Sequence, residues 1–150
     1  MISLKKQKGF TLVELLIVII IIGILATLVI VTFTGVQAKA RDSQRQTDIE
    51  ALDSHVEAFF AEKGYYPSYA DLTTASWVST NLKGLDPQSL IDPKGGSIAN
   101  GAGDATHYGY AVTQSDGTTA CETDDTTCAS FTLTATMESD GSTFIKKSNT

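Results

Sequence analysis

Hydrophobic positions crowd one end of this chain and then become periodic. From residue 15 to residue 38 no charged side chain occurs, and over residues 15–31 only Gly23 and Thr27 break a run of Leu, Ile, Val and Ala. As a helix these residues would extend ~36 Å, enough to cross a hydrocarbon core of ~30 Å with some tilt. A chain of 150 residues is too small to bury so long an all-round apolar helix in its own core. Beyond it Ile49, Leu52, Val56 and Phe59/Phe60 recur at helical spacing, and no proline falls between Phe10 and Pro67. One helix is therefore expected to run to about Lys63, with Gly64 as its stop and the apolar stripe of its second half laid on a sheet.

After Tyr65-Tyr66-Pro67 the pattern shortens. Ser68-x-x-Asp71 has capping-box spacing and predicts a short helix through Leu72 and Trp77 to about Leu82. Asp86-Pro87 and Asp92-Pro93 read as turns, and residues 95–104 as a Gly/Asn-rich loop. Tyr108, Tyr110 and Val112 alternate with small or polar residues, and Phe131, Leu133, Ala135 and Met137 alternate mainly with threonines. Both runs are strands by their period of two, and residues 142–146 make a third after an Asp140-Gly141 turn. The expected fold class is α+β: a long N-terminal α-helix, apolar in its first half and amphipathic in its second, packed on a small antiparallel sheet.

Charge sharpens this division. The net charge is −6, and every acid except Glu14 lies after residue 34. That split disfavours a freely soluble cytosolic domain, a basic nucleic-acid binder and a disordered tail. Residues 39–48 carry no bulky apolar side chain, so they are read as solvated or held between subunits. Along the helix Lys39, Arg41 and Arg45 precede Asp48, Glu50, Asp53, Glu57 and Glu62. This sorting is either a solvated face or a basic zone that meets the acidic zone of an axially staggered copy. Topology from charge is balanced, with Lys5, Lys6 and Lys8 before the span and Lys39, Arg41 and Arg45 after it.

The chain has two cysteines, Cys121 and Cys128. A metal site would want further Cys or His ligands, and only His55 and His107 exist. A disulfide closing a loop is the favoured reading, which puts the C-terminal region in an oxidising compartment, outside the membrane. Acids gather nearby: Asp116, Glu122, Asp124 and Asp125 around the cysteines, and Asp92 and Asp104 about the glycine loop. Oxygen-rich loops can hold calcium, making Asp92, Asp104, Asp124 and Asp125 weak candidates against the reading of solvated acids. No EF-hand spacing, Gly-x-Ser-x-Gly, His-x-x-x-His or Gly-x-x-x-x-Gly-Lys occurs, so neither a catalyst nor a resident cofactor is expected.

Lys-Gly-Phe-Thr-Leu-Val-Glu at residues 8–14, between a basic leader and the apolar run, resembles the class III signal of type IV prepilins and pseudopilins. The resemblance implies that a prepilin peptidase cuts between Gly9 and Phe10, removing the leader 1–9, and N-methylates Phe10. Residues 10–38 would then be the transmembrane and assembly helix, 39–63 the amphipathic helix of the head, and 64–150 its connection and sheet. The position where many members carry a helix-breaking proline holds Val31.

The resemblance also offers Glu14 as an assembly residue, pairing with the Phe10 amine of a neighbour. Two other readings stay open, a Thr11-x-x-Glu14 capping box and a pair with the chain's own amine. The implied function is a structural subunit of an extracellular type IV pilus, a helical homo-oligomer built by a membrane assembly platform through Phe10, Thr11, Glu14, Arg41 and Arg45. No nucleic-acid partner is expected. The alternatives are a pseudopilin of a type II secretion or DNA-uptake system, and a lone membrane-anchored binding domain. Some secretion pseudopilins bind calcium in their C-terminal region, so the resemblance leaves that ion as an expectation here.

Overall fold

The computed structural model describes residues 9–121 and 125–149, and shows two compact units, one up to Gln37 and one from Ala38 onward. Helix α1, Leu12–Lys63, is unbroken through Gly23 and Val31. It stops where expected: Gly64 takes a left-handed φ of +83° and donates its N–H to the Phe60 carbonyl at 2.7 Å.

Within the second unit, Ile49, Leu52, Val56 and Phe59 are buried as one stripe of α1. They pack with Tyr110, Val112, Phe131, Leu133 and Ala135 from the sheet, so the two predicted periodicities meet in a single core. Aromatic rings join the edges, with Phe59 5.2 Å from Trp77 and Tyr66 4.8 Å from Phe131. The Tyr110 hydroxyl donates to the Pro67 carbonyl at 2.7 Å, satisfying both groups in the interior.

The Ser68 capping box forms: Ser68 Oγ accepts the Asp71 N–H at 3.2 Å and the Asp71 carboxylate accepts the Ser68 N–H at 2.8 Å. The helix it opens is shorter than expected. Thr74 is extended and splits it into α2, Tyr69–Thr73, and α3, Ala75–Asn81. One residue serves both ends, its N–H closing α2 on Asp71 and its carbonyl receiving the Val78 N–H of α3. A 3-10 turn at Pro87–Leu90 follows, with the Asp86 carboxylate accepting the Gln88 N–H.

Strands β2 (Gly109–Gln114), β3 (Cys128–Thr136) and β4 (Thr143–Lys147) are antiparallel, as their alternation predicts. The expected small antiparallel sheet is present and gains one parallel edge. A two-residue strand β1, Ala99–Asn100, lies parallel to β2 at the edge, giving a mixed sheet in the order β1-β2-β3-β4. β1 falls in the segment read as a loop, because two residues show no alternation. Its return to β2 depends on glycine: a Cβ on Gly109 would stand 2.0 Å from the Gly103 nitrogen.

Candidate assembly site

The helix start is organised locally. Thr11 Oγ1 accepts the Glu14 N–H at 3.2 Å, and the Glu14 carboxylate accepts the Thr11 N–H at 2.9 Å and its hydroxyl at 2.7 Å. This reciprocal arrangement is a capping box. Gly9 stands in open space, with nothing within 4 Å of a Cβ built on it. The leader residues 1–8 lie outside the described residues.

Among the described side chains from Phe10 to Val36 the large apolar ones are all exposed, Val18 least of them at 44%. Water does not tolerate such a surface at that length, and a bilayer or other apolar helices satisfy it. Two threonines in the segment are internally paired, Thr27 Oγ1 donating to the Ile24 carbonyl at 2.8 Å and Thr32 Oγ1 to the Leu28 carbonyl at 2.9 Å.

Of residues 39–48, read as solvated or shared, most are exposed, but three depart from that reading. Asp42, Arg45 and Asp48 are buried, Arg45 completely. The Arg45 guanidinium holds both Asp92 oxygens, at 2.7 and 3.0 Å, and donates to Asp42 at 2.9 Å. Asp42 also accepts the N–H groups of Glu138 and Ser139, at 2.7 and 2.9 Å. Glu138 in turn receives two hydrogen bonds from Arg41 at 2.8 Å each and an ion pair from Lys94 at 3.3 Å. Asp48 accepts the buried Tyr108 hydroxyl at 2.8 Å. Arg45 is thus engaged within its own head. Ionisation of these groups follows the contacts. Burial raises the Asp42 carboxyl, but the Glu138 and Ser139 amides and Arg45 outweigh it and hold it at about 2. Arg41 is the main cause holding Glu138 at about 2, against a smaller opposing effect of burial.

Asp42, Asp92 and Glu138 were not readable as partners of Arg45, although Asp42-x-x-Arg45 has the i,i+3 spacing of a helix ion pair. Among the described residues the calcium candidates Asp92, Asp104 and Asp125 each have their own partners. Asp92 belongs to Arg45 and also accepts the Lys94 N–H, Asp104 accepts from Thr106 and faces His107, and Asp125 accepts from Gln114 and Thr127. Asp124 lies outside the described residues. Among the described residues, the cluster that could hold an ion is Cys121, Asp125 and Cys128, within 4.8 Å of one another. Its sulfurs are joined as the expected Cys121–Cys128 disulfide, so they are not thiolate ligands.

Comparison with known proteins agrees with the N-terminal reading. Residues 4–30 match the family described as the prokaryotic N-terminal methylation motif. The type IV major pilin protein PilA of Myxococcus xanthus is 42% identical over 66 residues, covering 44% of this chain and 30% of the relative. The type II secretion system core protein G of Dickeya chrysanthemi is 38% identical over 64 residues, covering 43% of this chain and 42% of the relative. The core protein G of Klebsiella pneumoniae is 30% identical over 95 residues, covering 63% of this chain and 66% of the relative. The chain thus spans less than half the length of the first of these relatives, and no solved structure matches it. In its motif, its long apolar helix on a small sheet and these relatives, the chain is similar to type IV pilins and type II secretion pseudopilins.

Proposed function

We propose that this protein is a structural subunit of an extracellular type IV pilus-like filament, with no catalytic chemistry of its own. The precursor sits in the cytoplasmic membrane through residues 10–38, head outside. Prepilin peptidase cuts between Gly9 and Phe10 and methylates Phe10, and an assembly platform moves the subunit from lipid into the filament. The observation that carries this reading is the exposed apolar belt of α1, which begins at the matched motif. A bilayer covers that surface in the precursor, and neighbouring helices cover it in a repeating, heterologous assembly. Glu14 then exchanges its contacts with Thr11 for the Phe10 amine of a neighbour.

A second reading, a secretion pseudopilin, is favoured by the reach of the core protein G matches, which extend over 89 and 95 residues of this chain. Mechanical shearing of cells tests both. Filaments in the sheared fraction, seen by electron microscopy and carrying N-methylated Phe10 by mass spectrometry, support the pilus. Failure of protein secretion on deletion, without long external filaments, supports the pseudopilin. A chain that stays with membranes in every condition, with no secretion defect, refutes both.

A further inference from the structure

Three carboxylates and three cationic side chains meet where α1 enters the head. Asp42, Asp92 and Glu138 all lie within 4 Å of the Arg45 guanidinium, whose contacts to them are 2.9, 2.7 and 3.8 Å. Arg41 and Lys94 close the outer side of Glu138. The acids come from three separate parts of the chain: α1, the turn closed by the Gly95 N–H on the Asp92 carbonyl, and the turn closed by the Gly141 N–H on the Met137 carbonyl.

We propose that Arg45 is the built-in structural cation of the head. With Arg41 and Lys94 it neutralises Asp42, Asp92 and Glu138 and fastens both turns to α1, in the role that a divalent ion fills in an oxygen-rich loop, and the head is stable without calcium. Asp92, the buried member of the calcium candidates, has both oxygens on the guanidinium and a third bond from the Lys94 N–H. With Asp92 2% exposed and Arg45 0% exposed, no coordination position there opens to solvent. Removing the guanidinium leaves the buried carboxylates of Asp42 and Asp92 without the cation between them, a strongly unfavourable arrangement, while Glu138 keeps Arg41 and Lys94. A small hard cation with oxygen ligands would relieve that repulsion.

The test is thermal unfolding of the full chain in detergent, followed by emission of Trp77, the sole tryptophan, which packs on Phe59 in the head core. The wild-type midpoint is expected to be the same in EGTA and in millimolar calcium. Arg45→Gln should lower it by roughly 10–20 °C, and millimolar calcium should restore part of that loss in the variant alone. If Arg45→Gln does not fold with or without calcium, Arg45→Met combined with Asp92→Asn should recover a cooperative transition, because it removes the charge imbalance. A wild-type midpoint that falls in EGTA and returns with calcium overturns the proposal. So does an Arg45→Gln midpoint equal to wild type, or a double variant no more stable than Arg45→Gln.

Discussion

Arg45 and Asp92, 47 positions apart in sequence, form a two-pronged ion pair of 2.7 and 3.0 Å in which both side chains are shut away from water. Such a pair adds modestly to stability while intact, yet breaking one side is costly, since the remaining charge is buried alone. It ties the first turns of the head helix to a turn that the core stripe does not reach.

Acid sensitivity follows from the same junction. The Asp42 and Glu138 carboxyls sit at about 2, below the ordinary carboxylate values of ~4 that they regain on unfolding. A depressed folded value means stability that is present above pH ~4 and disappears as pH falls toward 2. The Trp77 unfolding midpoint should therefore hold between neutral pH and pH ~5 and drop steeply below pH ~3. Asp42→Asn should flatten the acid limb of that curve while lowering its plateau.

Glu14 separates charge from cap. Glu14→Gln keeps a side-chain acceptor for the Thr11 N–H and hydroxyl, whereas Glu14→Val keeps only the backbone N–H that Thr11 Oγ1 accepts. If the carboxylate charge serves assembly, both variants insert, are cleaved, and lose filaments in the shear assay. Filaments from Glu14→Gln at wild-type level would assign the residue to capping. Robust filaments from both would end its role in assembly.

Gly109→Ala should loosen the β1 edge. Its Cβ would fall 2.0 Å from the Gly103 nitrogen and 2.3 Å from Thr134 Oγ1. Overpacking of this kind costs about 1–3 kcal/mol, so the melting midpoint should fall by several degrees. Amide exchange should speed at Ala99 and Gly101, whose N–H groups bond to Tyr108 and Tyr110. An unchanged midpoint would mean that the 101–108 loop yields freely.

The disulfide links a loop to the first residue of β3. Non-reducing peptide mapping of chain recovered from the cell surface should find Cys121 joined to Cys128. Replacing both by Ser should cost about 2 kcal/mol of head stability and leave membrane insertion unchanged. Free thiols on the surface form would remove both the bridge and the argument for an oxidising compartment.

Cleavage depends on Gly9 if a side chain there crowds the peptidase. Gly9→Val should then accumulate in the membrane at precursor mass, with no methylated Phe10 by mass spectrometry. Processing at the normal rate would move the recognition elsewhere in the leader.

The sequence by itself determined whatever depends on near neighbours. The apolar run of α1, its stop at Gly64, the Thr11 and Ser68 caps and the two alternating strands all follow from residues a few positions apart, and each pattern carries its own period or cap chemistry. The methylation motif is equally local, because residues 4–30 alone carry the match. Tertiary structure alone decided the rest. Thr74 splits a predicted helix, and β1 pairs in parallel only because Gly103 and Gly109 let two backbones touch. Arg45 looked like a surface charge because polar helix positions usually face water. It is buried because Asp92 and Glu138, far along the chain, are folded back to meet it, and a charge can leave water only where opposite charges are already waiting.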